Sequence, residues 1–196
     1  MLVRDLMTPD PVTVNPETHV KQALSRLAGL GITSMPVVDD KQRLCGIVSE
    51  ADLICDLVAR DPRAQERPVM VESLFVPHTV EDVYTRSASA VRVDDDVANA
   101  VETMVAISAK SLPVLDERGR LVGMLSRSDI VQALARADDV IAADIDELLS
   151  SLGRADWLVE VEEGVVDISG PEGTGERSLA HVVAHTVPGV VEVRID

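Results

Sequence analysis

Residues 3–54 align on residues 80–131 without a gap, and fifteen positions are identical. Among the identities are Asp5/Asp82, Thr8/Thr85, Pro36/Pro113, Asp39/Asp116, Gly46/Gly123, Ser49/Ser126 and Asp52/Asp129, all 77 residues apart. Many other pairs exchange one apolar residue for another, as in Leu24/Val101 and Ile47/Met124. A tandem duplication constrains the fold more than any other feature, because one chain path must suit both copies. A unit of about 55 residues buries little core alone, so the copies are expected to pack as a pseudo-symmetric pair.

Each copy reads as β-α-β-β-α. In copy one a strand is predicted around Val12–Val14. A helix follows, with Asn15 as N-cap and Pro16 at its first position. Val20, Ala23, Leu24, Leu27 and Ala28 form its apolar face, and Gly29 and Gly31 end it. "SMPVVD" and "RLCGIVS" read as strands joined by a polar turn at 39–42, and a second helix is predicted from Ser49 to about Ala59. In copy two the strand is 91–93, and Asp94 or Asp95 is expected to cap a helix carrying Val97, Ala100, Val101, Met104 and Val105. "SLPVLD" and "RLVGMLS" are its later strands, and its last helix begins at Ser126.

Residues 61–79 are charged and proline-bearing, and read as a linker between a first domain at 1–60 and a second at 80–136. From residue 137 the pattern changes. "DDVIAADIDELLSSLG" has helical spacing, and "WLVEVEEGVVDISG" reads as a hairpin with Val161, Val165 and Ile168 facing inward. "RSLAHVVAHTVPG" is a second helix and "VVEVRI" a closing strand, so 137–196 is expected to form a small α-β-β-α-β domain. The fold class is therefore α+β (mixed α/β) throughout.

Charge narrows the function. The formal net charge is −16, and residues 137–196 hold 14 Asp or Glu against three Arg. Such a segment repels nucleic acid phosphates and anionic lipid head groups. The chain has one Trp, one Tyr and one Phe, so platforms for stacking on single-stranded nucleic acid are nearly absent. No signal core or long apolar run appears, and Cys45 and Cys55 fit no metal spacing. Buried, reduced thiols in a cytoplasmic protein are the expectation.

The repeated "GIVSEAD" (46–52) and "GMLSRSD" (123–129) admit two readings. Ser-x-x-Asp at a helix start is a variant capping box, in which the hydroxyl accepts an early helix amide and the carboxylate reaches back. Alternatively, a strand glycine allows a ligand close to the backbone. Hydroxyl and helix amides then suit a phosphate, while the carboxylate accepts ribose hydroxyls. The pattern occurs twice in matching frames, which favours a nucleoside phosphate.

Residues 1–136 resemble a tandem pair of CBS domains (a Bateman module). The likeness rests on "LMTPDPVTV", "SMPVVDD", "RLCGIVSEADL" and their counterparts "VYTRSASAV" and "SLPVLDERGRLVGMLSRSDI". The family's Gly-h-h-Ser/Thr-x-x-Asp motif (h apolar) is intact in both copies. The resemblance implies adenosyl-nucleotide binding, with Asp on the ribose and Ser or Thr near phosphate. By position, one site would combine Thr8, Thr13, Ile32, Lys110, Ser111, Ser126 and Asp129. The other would combine Thr33, Ser34, Ser49, Asp52, Thr85, Ala90 and Ala109. The first is expected to bind more tightly, because Lys110 and Arg127 stand where the second has Thr33 and Glu50. Copy two lacks the prolines of "LMTPDPVTV", which alters the wall of the Asp52 site.

The resemblance further implies AMP, ADP, ATP or S-adenosylmethionine as a regulatory ligand with no required cofactor. It also implies a homodimer through the helices. The apolar faces Leu53, Ile54, Leu57 and Ile130, Val131, Leu134 are candidates for that contact or for intramolecular core. Residues 137–196 resemble a BON domain, through "WLVEVEEGVVDISG" and "VPGVVEVRI", with Gly164 and Gly189 as turn glycines. The expected role is a non-catalytic sensor acting on a protein partner through dimer packing or this C-terminal domain. A scaffold with vestigial nucleotide sites and a membrane-associated BON protein are the alternatives, and the segment's charge argues against the latter. His181 and His185 have a zinc-compatible spacing but no third ligand in register. Residues 94–96 read as caps and helix-dipole partners rather than a cation site. No nucleophile–base–orienter set appears, so no enzyme activity is expected.

Overall fold

The computed structural model describes residues 1–55, 57 and 76–196. Its elements are α1 (Val3–Leu6), β1 (Thr8–Pro9), α2 (Val20–Leu30), β2 (Ser34–Val38), β3 (Leu44–Ser49) and α3 (Glu50–Ile54). A 3-10 turn (Val80–Asp82) precedes β4 (Thr85–Arg86), β5 (Val91–Arg92), α4 (Val97–Ala106), β6 (Ser111–Leu115), β7 (Leu121–Ser126) and α5 (Arg127–Leu134). The chain ends with α6 (Asp138–Ser151), β8 (Leu158–Glu162), β9 (Val165–Ser169), α7 (Gly173–Thr186) and β10 (Glu192–Ile195). It divides into two compact units. The first holds residues 9–92 and 109–124, and the second holds 1–8, 93–108 and 125–196. Each unit thus draws on both copies of the repeat.

In the first unit β2 pairs antiparallel with β3, and β3 with β4. β5 pairs in parallel with β6, Val91 opposite Val114. Val14, Val20, Ala23, Leu27, Met35, Val37, Val48, Leu53 and Val80 form an aliphatic core. Burying each large side chain contributes roughly 1.5–3 kcal/mol before entropy is counted. Two boundaries differ from the sequence expectation. The region around Val12–Val14 makes only a bridge, Val14 to Val37, while the strand lies earlier at β1. Asn15 does not cap α2. Its backbone N–H donates to Thr18 Oγ1 and its carbonyl accepts from Thr18 N–H, a turn that uses up the first four residues. The helix then begins after His19, and Gly31, in the left-handed region at φ +65°, closes it. The expected end of the second helix near Ala59, and most of the 61–79 linker, lie outside the described residues.

In the second unit Asp96, rather than Asp94 or Asp95, caps α4 by accepting from Ala98 N–H. Asp94 pairs instead with Arg4 at 2.5 Å. Residues 137–196 follow the expected order α-β-β-α-β. β8 and β9 form an antiparallel hairpin, and β10 adds in parallel to β9. Ile141, Ile145, Leu149, Trp157, Val166, Ile168, Ala180, Val183 and Ala184 pack together as the core. Val166 therefore faces inward where Val165 was expected, because Ile168 and Val166 share one face of the strand. Cysteine burial is also corrected: Cys45 is half-buried and Cys55 exposed. Both are free thiols.

Candidate functional site

The two Ser-x-x-Asp stretches fold alike. At the junction of β3 and α3, Ser49 N–H and Oγ both donate to Asp52 Oδ2, at 2.8 and 2.7 Å. Asp52 N–H returns to Ser49 Oγ at 3.3 Å. At the junction of β7 and α5, Ser126 N–H and Oγ donate to Asp129 Oδ2 at 2.8 Å each, and Asp129 N–H returns at 3.2 Å. Both are complete capping boxes. The box engages only Oδ2, and no hydrogen bond to Oδ1 of either aspartate occurs among the described residues. A helix cap and a ribose-accepting carboxylate are therefore compatible in one residue. Each serine's O–H points at its own aspartate, so donation to a phosphate would require that hydroxyl to rotate.

All residues of the Asp52 set lie in the first unit. Ser34 pairs with Ser49 across β2 and β3, and Glu50 N–H donates to the Thr33 carbonyl at 2.9 Å. Ser34 Oγ and Ser111 Oγ, equivalent residues of the two copies, are 2.5 Å apart. Ser111 is buried. Next to it, Lys110 Nζ lies 2.6 Å from Glu50 Oε1. Thr33, Ser34, Ser49, Glu50, Lys110 and Ser111 thus gather at one set of strand ends, with Asp52 one turn inside α3. Thr85 sits opposite Ile47 on β4. Ala90 and Ala109 are half-buried before β5 and β6.

The Asp129 set divides between the units: Thr8, Ser126 and Asp129 belong to the second, Thr13, Ile32, Lys110 and Ser111 to the first. Ile32 packs at the margin of the aliphatic core, and the Thr13 carbonyl accepts from Arg26 Nη1 at 3.1 Å.

Three details alter the chemistry expected from spacing. Lys110 is charge-compensated by Glu50, so a phosphate would compete for it with a carboxylate already in place. Both side chains are largely exposed (64% and 44%), and such a pair contributes only about 0–1 kcal/mol. Arg127 donates to the Met104 carbonyl at 3.2 Å, so its guanidinium caps the end of α4. Gly46 is required by the chain itself. A Cβ there would lie 2.1 Å from the Thr85 carbonyl oxygen and 2.8 Å from the Tyr84 ring. Sequence reasoning missed Glu50 as a partner of Lys110; a charge reversal at one pair of equivalent positions (Glu50/Arg127) was its visible sign.

His181 and His185 have ring centroids 4.5 Å apart, but no group of three or more metal-ligating side chains occurs among the described residues. No helix among them is long and apolar enough to cross a membrane.

Comparison with known proteins matches the CBS domain model at residues 3–58 and 80–136. A CBS domain-containing protein of Dictyostelium discoideum is 32% identical over 137 residues, which cover 69% of this chain and 92% of that protein. An inosine-5'-monophosphate dehydrogenase of Aquifex aeolicus is 30% identical over 187 residues, but the match spans only 31% of that enzyme. Among solved structures, CBSX2 in complex with AMP is 30% identical with a TM-score of 0.54, covering 67% of this chain and 94% of that one. The CBS domain pair of protein MJ0100, in complex with 5'-methylthioadenosine and S-adenosyl-L-methionine, is 25% identical with a TM-score of 0.55. It covers 67% of this chain and 94% of that one.

Proposed function

Because this chain belongs to the CBS-domain family, we propose that it is a non-catalytic regulatory protein that binds an adenosyl ligand: AMP, ADP, ATP or S-adenosylmethionine. The observation that carries this reading is the doubled capping box, which engages one oxygen of Asp52 and of Asp129 and, among the described residues, leaves the other without a hydrogen bond beside a helix start. The AMP complex of CBSX2 and the S-adenosylmethionine complex of MJ0100 support the ligand class. In this reading Asp52 and Asp129 take the ribose hydroxyls. Ser49 and Ser126, with Thr33, Ser34, Lys110 and Ser111, serve the phosphate or its substitute. Thr8, Thr13, Ile32, Thr85, Ala90 and Ala109 wall the base. The Asp129 site is the tighter of the two, and Glu50 limits what Lys110 adds to it.

Residues 1–60 and 80–136 are the two CBS domains, joined by 61–79, and 137–196 is a BON domain by its hairpin and Pro-Gly-Val-Val motif. Homodimers form through the exposed Ile54, Leu57, Val131 and Leu134. Leu53 and Ile130 are buried and serve the protomer's own core. The protein acts in the cytoplasm on a protein partner.

Calorimetric titration with AMP, ATP and S-adenosylmethionine tests the reading. Saturable binding is expected, weakened at least tenfold in Asp129→Ala and less in Asp52→Ala. The completeness of both capping boxes favours one rival, a scaffold with vestigial sites. It predicts no heat with any ligand, and a stability loss of about 1 kcal/mol in either variant.

A further inference from the structure

We propose that Arg136 couples the helix carrying Asp129 to the C-terminal segment, so that occupancy at Asp129 is passed to residues 187–191. The inference rests on the nucleotide-sensing reading above. All the groups involved lie in the second unit. Arg136 stands two residues beyond the end of α5. Its Nη1 donates to the Pro188 carbonyl at 2.8 Å, and its Nη2 to Asp144 Oδ2 on α6 at 2.5 Å. Its side chain is 25% exposed and that of Asp144 is 44% exposed, so the guanidinium is partly sheltered while water still reaches the carboxylate. A planar guanidinium can hold two acceptors in fixed directions at once, which an ammonium on a flexible stem does poorly.

The backbone at Gly189 also lies close to α5 and α6, with no room for a side chain. A Cβ on Gly189 would lie 3.0 Å from the Ala133 carbonyl and 2.7 Å from Ile141 Cδ1. Ala133 is one helical turn beyond Asp129, so the 188–189 turn rests directly on the helix whose start holds the carboxylate. Asp129, Gln132, Arg136, Pro188 and Asp5 line one cleft of about 280 Å³. The C-terminal segment is thus a wall of the space that Asp129 borders.

The contact continues inward. Val191 N–H donates to the Gly164 carbonyl at 2.9 Å, and a Cβ on Gly164 would lie 2.9 Å from the Gly189 carbonyl. Asp138 Oδ2 and Oδ1 accept from Glu163 and Gly164 N–H, tying the hairpin turn to the start of α6. In this proposal a shift of α5 reaches the hairpin through the close backbone approach at Gly189 and through Arg136, which ties the end of α5 to the Pro188 carbonyl. The residue 77 positions before Arg136 is Ala59, which has no guanidinium. Proximity by itself does not establish coupling; the experiment must read a ligand-dependent change.

Hydrogen exchange of the full chain supplies that readout, with AMP and S-adenosylmethionine as probes and affinity measured by calorimetry in parallel. Saturating probe is expected to change exchange across 187–191 at least twofold in the wild type. Arg136→Met should still bind the probe saturably yet lose that change, and Arg136→Lys should recover part of it. Should Arg136→Met fail to fold, Asp144→Asn, which keeps the Pro188 bond, is expected to diminish the change. A wild type that binds without any change at 187–191 overturns the coupling alone, as does a change that persists undiminished in the variants. Absence of saturable binding in the wild type appears in the titration instead, and removes the sensing reading together with the coupling.

Discussion

The two copies follow the same backbone path, but they distribute its difficult points differently. Three pairs of equivalent residues adopt positive φ. At the first pair, Asp10 (φ +47°) and Ser87 (φ +52°), neither copy has a glycine. At the second, copy one has Gly31 (φ +65°) and copy two Ser108 (φ +55°). At the third the assignment reverses, with Gln42 (φ +58°) in copy one and Gly119 (φ +75°) in copy two. A left-handed residue with a Cβ carries a backbone cost that glycine avoids. The path therefore stands without its preferred residue at two positions in each copy, Asp10 and Gln42 in the first and Ser87 and Ser108 in the second. Core packing and the doubled caps hold the fold; turn chemistry follows it.

The largest expected effect comes from the strand glycine, where the chain has no alternative. Gly46→Ala drives a methyl into the Thr85 carbonyl and should cost about 3 kcal/mol or more in urea unfolding. A loss below about 1 kcal/mol would show that β4 gives way easily and that the glycine serves something other than strand packing. Smaller and opposite in sign are the exchanges that copy one copy's glycine into the other. Gln42→Gly and Ser108→Gly are each expected to stabilise by about 0.5–1 kcal/mol, as relief of strain exceeds the added chain entropy. Gly31→Ser and Gly119→Gln should lose a similar amount, since open space surrounds both glycines and conformation alone decides. Denaturant midpoints at unchanged m-values would check all four.

The smallest effect concerns a feature the copies share. Asp39 and Asp116 each receive backbone N–H donors from their turn, Arg43 or Arg120 foremost, together with that residue's guanidinium. Both carboxyls are thereby held below the usual carboxylate range. The unfolded chain binds these protons more readily than the folded one. Their contribution is therefore complete above the unfolded value near pH 4, and is lost as pH falls through the lowered folded values. Asp39→Asn with Asp116→Asn should flatten the stability profile below about pH 4 and leave its shape at pH 6–8 unchanged. Acid titration of thermal midpoints would show equal slopes if the turns contribute nothing.

The parts of the fold legible in the sequence were those with dense local signals. The 77-residue offset, the β2–β3 and β6–β7 strand pairs and the Ser-x-x-Asp caps could be read directly. The C-terminal α-β-β-α-β order was equally visible, because its apolar spacing and turn residues agree. The early turns were misread. Asn15 and Pro16 are good helix-starting residues, yet the Asn15–Thr18 turn delays α2 to Val20, and tertiary pairing of Val14 with Val37 decides where the chain extends. The candidate site was legible as a set of residue types but not as a set of charges. That Lys110 meets Glu50, sixty positions away, depends on strand ends brought together by the sheets, which no local spacing encodes.

The hydrogen bond between Ser34 and Ser111 joins equivalent positions of the two copies. A residue touching its own counterpart is the mark of a two-fold axis, where any substitution in a homodimer must suit both sides at once. Fusing the copies into one polypeptide lifts that demand. Lys110 faces Glu50, whereas their equivalents, Thr33 and Arg127, could not form an ion pair at all. In one covalent chain a symmetric contact at Ser34 and Ser111 sits beside an ion pair formed on one side only.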